Sequence, residues 1–199
     1  MTFFQQGPQL KNQYTEDRLL QSYLQWRIPA DVFANMTPQL KHLGERAVTD
    51  MLAWADEAEK NPPRLITFDP WGRRVDTIET SAAWKALEKV AAEEGLIAAG
   101  YERKFGEYSR SYQMAMLYLY HPSSSFYSCP LAMTDGATRA IELYGDEYLK
   151  SKPFKHLTSR NPQEFWTSGQ WMTERTGGSD VSGTSTVAKK SGEHYTLHG

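Results

Sequence analysis

The chain has 199 residues, 22 Lys and Arg against 24 Asp and Glu, and a formal net charge of −2. That length holds one full domain and part of a second, and the near balance of scattered charges gives no basic stripe for nucleic acid. A single cysteine, Cys129, excludes an internal disulfide framework and fits a reducing compartment. No apolar run reaches the length of a bilayer span.

In chain order, residues 1–14 read as an extended segment broken by Gly7-Pro8. Thr15, followed by Glu16 and Asp17, caps a predicted helix through Arg27. Pro29 opens a short second piece, and Thr37-Pro38 reads as a new cap with proline at the first helical position. The helix after it carries Leu40, Leu43, Ala47, Met51, Trp54 and Ala58 at three- and four-residue spacing, ending at Asn61-Pro62-Pro63. Residues 64–78 alternate around Pro70-Trp71-Gly72, which predicts a small β-hairpin. Thr80-Ser81 caps a helix to about Glu94. Further helices are expected over Glu107–Tyr120 and Pro130–Tyr144, the latter stopped by Gly145 in the usual C-terminal manner, and a short piece over Asp146–Lys150. After Pro162 the period changes. Phe165–Thr173, Val181–Lys189 and His194–Leu197 read as strands. The predicted class is α+β: a helical domain over 15–160, then the first strands of an antiparallel β-domain over 161–199.

The run Trp171-Met172-Thr173-Glu174-Arg175-Thr176-Gly177-Gly178-Ser179-Asp180 carries the chemistry. An apolar stretch presents a backbone edge and one hydroxyl, then enters a loop without side-chain bulk. Gly177 and Gly178 permit positive φ and close approach, and successive amides in such a loop point at an anion. A planar ring at the stretch and a phosphate at the loop describe a nucleotide-type cofactor.

Met172 to Ala188, as M-T-E-x-x-x-G-S-D-x-x-x-x-x-T-x-A, resembles the flavin-binding signature opening the middle β-domain of acyl-CoA dehydrogenases. Arg175 stands where that family usually has proline. The double glycine is the form of its AidB-like branch, which Asn61-Pro62-Pro63 through Asp69, Gly72 through Asp76, and Cys129 through Thr134 also resemble. The resemblance covers about Gln39 to Gly199. It implies an acyl-CoA dehydrogenase fold, FAD as cofactor, acyl-CoA as substrate or ligand, and a homo-oligomer. It implies flavin contacts from Gln170, Trp171, Met172, Thr173, Gly177, Gly178 and Ser179, with Thr173 beside the ring and Ser179 at the pyrophosphate or the acyl-CoA chain. The expected reaction removes the α-proton of an acyl thioester and passes the β-hydride to flavin. Two alternatives stand beside it: a non-catalytic flavin or acyl-CoA binder, and an acyl-CoA or nitroalkane oxidase. The family's catalytic base lies in a C-terminal bundle. No base is therefore expected in these residues, which read as an N-terminal portion inactive alone.

Other residues draw plainer readings. The plainer alternative for Thr173 is a strand threonine satisfied by its own sheet, and for Ser179 a turn serine bonding its own backbone; the ligand reading is preferred for both. Asp180 is expected to cap the loop by accepting backbone N–H bonds. Glu174, next to Thr173 on a strand, faces away from the flavin and is expected to pair with Arg175 or another cation. Arg73-Arg74 fits a solvated turn better than a CoA phosphate site. Cys129 reads as a small buried residue, and the five histidines lack metal-ligand spacing. The N-terminus lacks a signal pattern, so the expected location is the cytoplasm, with a mitochondrial one left open.

Overall fold

A computed structural model describes residues 4–199; the part of the extended N-terminal segment at residues 1–3 lies outside the described residues. The chain divides into two compact units, with the boundary between Ser168 and Gly169.

The first unit is helical. Helix α1 (Arg18–Arg27) is capped by Asp17, whose carboxylate accepts from the Leu20 amide at 2.8 Å. The predicted Thr15 cap is thus corrected. The Thr15 hydroxyl is spent on the Asn12 carbonyl, while the Asn12 side chain accepts from the amides of Tyr14 and Thr15. Helix α2 (Ala30–Arg46) runs straight through Pro38, which overturns the predicted break at Thr37-Pro38. Proline removes one donor and clashes with the preceding turn. However, burial of Met36, Leu40, Leu43 and Gly44 along a single face outweighs that local cost. Thr37 does not cap: its hydroxyl donates back to the Phe33 carbonyl at 2.8 Å. The real break falls at Val48-Thr49, whose amides bond back to Glu45 and Arg46 in tight turns. Helix α3 (Asp50–Lys60) follows.

Strands β1 (Arg64–Phe68) and β2 (Arg74–Glu79) pair antiparallel, Arg64 opposite Glu79 and Ile66 opposite Thr77, with an irregularity before Phe68. Their turn is organised by Asp69, which accepts from the amides of Trp71 and Arg73, and by Gly72 at φ +78°. Arg73 pairs with Asp69 and Arg74 with Asp76, in keeping with a solvated turn.

Helix α4 (Ala82–Glu93) is capped by Ser81, as its sequence predicts. A short helix α5 (Ala98–Glu102), not foreseen from the sequence, then ends in Arg103 at φ +53°. Helix α6 (Ser109–Tyr120) and helix α7 (Ser128–Tyr144) match their predicted spans closely. Gly145 ends α7 as expected, in extended rather than the left-handed conformation common at such ends. A Cβ at Gly145 would sit 2.6 Å from the Ile141 carbonyl oxygen, so glycine serves close approach there. Helices α8 (Glu147–Ser151) and α9 (Pro153–Leu157) close the series.

The core joins these helices through Leu24, Leu40, Leu43, Met51, Leu87, Met116, Leu119, Tyr120 and Leu131. Two polar groups are threaded through it. The fully buried Gln113 donates to the Leu96 carbonyl and Asp135, and accepts from Arg110 at 2.7 Å. The largely buried Glu94 accepts from Arg46 at 2.6 Å, with Gln39 and His42 alongside. Satisfied on every side, such groups fix one packing arrangement.

The second unit holds strands β3 (Val187–Ser191) and β4 (His194–His198), paired antiparallel with Ala188 opposite Leu197 and Lys190 opposite Tyr195. The predicted strand over Phe165–Thr173 does not form. The predicted strand from Val181 begins only at Val187, because Val181–Gly183 is a 3-10 turn. Among the described residues of this unit none is buried.

Candidate functional site

The site is built from a four-residue turn. Glu174 and Gly177 exchange backbone hydrogen bonds, the Glu174 amide to the Gly177 carbonyl at 2.9 Å and the reverse at 3.1 Å. Arg175 and Thr176 form the tip. Gly177 has φ +150°, a conformation side chains disfavour. Gly178 is needed for a different reason: a Cβ there would lie 2.8 Å from the Thr173 hydroxyl oxygen and 3.1 Å from its methyl. Thr173 therefore lies flat against the glycine backbone.

Two carboxylates hold the rest of the loop. Asp180 accepts from the Ser182 amide at 3.0 Å and from the Ser182 hydroxyl; these bonds lower its pKa, and the loop-capping expectation holds. Glu174 makes the denser set. One oxygen accepts from the Ser185 amide (2.8 Å) and hydroxyl (2.7 Å), the other from the Thr186 amide (3.0 Å) and hydroxyl (2.6 Å). The Thr186 and Ser185 hydroxyls, then their amides, hold its pKa down to about 2. The expected pairing of Glu174 with Arg175 or another cation is thus corrected. Neutral donors in the segment just before β3 saturate the carboxylate, and each stabilises the ionised form.

An open cleft of about 400 Å³ results, lined by Met172, Glu174, residues 176–180, Gly183 and Thr184. Met172, Gly177, Gly178 and Ser179 thus share one cavity. Thr173 backs its glycine wall, whereas Gln170 and Trp171 do not line it, and Trp171 is 99% exposed. Neither the Thr173 hydroxyl nor the amides of Gly178 and Ser179 find a partner among the described hydrogen bonds. These are the donor types an anionic, ring-bearing cofactor takes up. Sequence reasoning assigns Ser185 no part and gives Thr186 only its place in the signature, with no role. Their signal is a tandem hydroxyl pair eleven and twelve residues after the glutamate.

The helical unit offers a separate, apolar groove of about 650 Å³ between α6 and α7, lined by Met114, Leu117, Tyr118, Phe126, Cys129 and Ala132 among others. Cys129 is half-buried in its wall. Among the described residues no His, Cys, Asp and Glu group is arranged to hold a metal, and no helix is long and apolar enough to cross a membrane.

The helical order, the lone hairpin between α3 and α4, and a glycine loop leading into an antiparallel hairpin define the N-terminal part of an acyl-CoA dehydrogenase fold. Residues 6–161 match the family of the adaptive response protein AidB N-terminal domain, and the chain belongs to that family, within the AidB-like acyl-CoA dehydrogenases. It is 38% identical over 203 residues to acyl-CoA dehydrogenase family member 11 of Caenorhabditis elegans, covering 99% of this chain and 33% of that protein. It is 27% identical over 143 residues to the putative acyl-CoA dehydrogenase AidB of Escherichia coli (strain K12), covering 67% of this chain and 26% of that one. The chain thus spans a third or less of the curated relatives it matches. Among solved structures, Bd2924 in its apo form superimposes with a TM-score of 0.92 at 61% identity, covering 100% of this chain and 41% of that one. ACDH-11 of Caenorhabditis elegans, solved in complex with C11-CoA, superimposes with a TM-score of 0.91 at 39% identity, covering 99% and 34%.

Proposed function

We propose that this chain supplies one wall of the cofactor site in an FAD-dependent oxidoreductase of acyl-CoA dehydrogenase type, acting on an acyl-CoA thioester. The observation that carries this reading is the glycine loop: the uncommitted amides of Gly178 and Ser179 on the wall of the cleft, with an uncommitted Thr173 hydroxyl packed directly behind Gly178. Thr173 would face the flavin ring, and Gly177, Gly178 and Ser179 would receive the pyrophosphate. Met172 would border the ring, with Gln170 and Trp171 leading the backbone toward it. FAD, when bound, supplies the hydride acceptor. The apolar groove between α6 and α7 offers a helical surface suited to an acyl chain. The relative solved with C11-CoA supports an acyl-CoA ligand.

No general base is assigned here. Both carboxylates lining the cleft, Glu174 and Asp180, are engaged by donors that favour their ionised forms. A base working near neutral pH needs a pKa near the working pH, and these groups are displaced in the opposite direction. The 199 residues alone are accordingly proposed to be inactive.

The test is Thr173→Val in the complete gene product reconstituted with FAD. Loss of one neutral hydrogen bond to the ring is worth about 1 kcal/mol, roughly fivefold in Kd, with a changed visible flavin band. Unchanged affinity and an unchanged spectrum would refute the placement. Bleaching of the wild-type flavin by a medium-chain acyl-CoA tests the reaction; a flavin that binds but never bleaches favours the non-catalytic reading.

A further inference from the structure

The loop that frames the cleft is tied at its root in two ways. The backbone pair between Glu174 and Gly177 closes the tip. The Glu174 carboxylate then reaches across to Ser185 and Thr186, at the entry to β3, so residues 175–184 leave and return at one point. Thr173 immediately precedes that anchor, and Gly178 immediately follows the backbone pair. Moving the Glu174 carboxylate would move the glycine wall of the cleft and the Thr173 side chain packed against it.

All four partners of this carboxylate are donors. Two are hydroxyls that can rotate to become acceptors, and two are backbone amides that cannot. Only an acceptor-only group with two oxygens satisfies the set, so glutamine does not replace glutamate here. Its NH₂ would face a backbone N–H whichever way the amide is turned.

We propose that Glu174, with Ser185 and Thr186, is a positioning device for the cofactor. In this role the clamp sets the Thr173 hydroxyl and the Gly177–Ser179 backbone in the arrangement that receives the flavin ring and pyrophosphate. This inference rests on the flavin reading above and assigns a purpose to a carboxylate that takes no part in proton transfer.

Glu174→Gln in the complete gene product tests it through two readouts. Without cofactor, amide hydrogen exchange at Ser185 and Thr186 should accelerate while far-UV circular dichroism stays unchanged. With FAD, Kd should rise about tenfold and the vibronic shoulders of the flavin band should blur. Faster exchange with unaltered FAD affinity and spectrum would overturn the positioning role and leave a purely structural clamp. Unaltered exchange would overturn the clamp itself. Should Glu174→Gln fail to fold, Ser185→Ala and Thr186→Val each remove one hydroxyl donor and should give smaller losses in the same two readouts; no loss in either overturns the proposal. The flavin reading fails separately, on Thr173→Val: if that variant has no effect while Glu174→Gln still accelerates exchange, the clamp stands and the cofactor placement falls.

Discussion

Adding one methyl group at Gly178 should disable the site without disturbing the fold. The φ of Gly178 is not in the left-handed range, so alanine meets no backbone objection; the obstacle is Thr173. A Cβ would lie 2.8 Å from its Oγ1, 3.1 Å from its Cγ2 and 3.2 Å from its Cβ, so all three nearest contacts belong to one side chain. Threonine is β-branched and stiff about χ1, and forcing it off its rotamer costs about 0.5–1.5 kcal/mol. The hydroxyl would be displaced at the same time, losing about 1 kcal/mol of the proposed cofactor contact. Gly178→Ala should therefore weaken FAD binding by roughly 10- to 70-fold, measured by fluorescence titration of the complete gene product. In a Thr173→Ala background two of the three crowding atoms are gone, and the added methyl should cost less than about 0.5 kcal/mol, a non-additivity expected of touching residues. Equal losses in both backgrounds would refute the reasoning: the methyl would then be obstructing something other than Thr173.

Gly100→Ala should destabilise the helical unit by about 1–3 kcal/mol in urea denaturation, since its Cβ would meet the Gln113 side-chain oxygen at 2.2 Å. Most of that penalty should vanish in a Gln113→Ala background, and strictly additive effects would dismiss the contact. The Glu174 carboxyl falls from an ordinary 4.5 to about 2, so its clamp is fully present above the unfolded value and is lost only as pH falls toward 2. Amide shifts of Ser185 and Thr186 followed by NMR should titrate with a midpoint near 2; a midpoint near 4.5 would show that the carboxylate is not held.

Much of the helical unit can be read from periodicity. The Ser81 cap, the spans of α6 and α7, and the hairpin around Gly72 follow from local signals that tertiary packing reinforces. The misreadings occur where packing overrode a local rule. Pro38 reads as a helix start, yet the buried face from Met36 to Leu43 carries α2 through it. The uninterrupted apolar spacing from Leu40 to Ala58 conceals a break at Val48-Thr49, because the period resumes almost in phase. In the second unit, apolar and β-prone residues before Thr173 read as a strand, but among the described residues no strand pairs with them. The glycine loop and Thr173 stood out from the sequence. The partners of Glu174 did not, since a carboxylate bonded to neutral donors eleven and twelve residues away leaves no charge pattern to notice.

The guanidinium of Arg160 occupies the space over Gly95, where a Cβ would lie 2.3 Å from its carbon, and it joins Glu102 to the Glu94 carbonyl. Phe165, five residues further on, is part of the core. The α4–α5 turn is therefore locked by a side chain that ribosomes make more than fifty residues later. During synthesis the helices up to α7 can gather early, but this turn must wait with its carbonyls unanswered until Arg160 emerges. Late-made, long-range ties of this kind slow folding and leave an interval in which a nascent chain is vulnerable to aggregation. Arg160→Met would be expected to lower the yield of soluble protein by more than its effect on equilibrium stability accounts for.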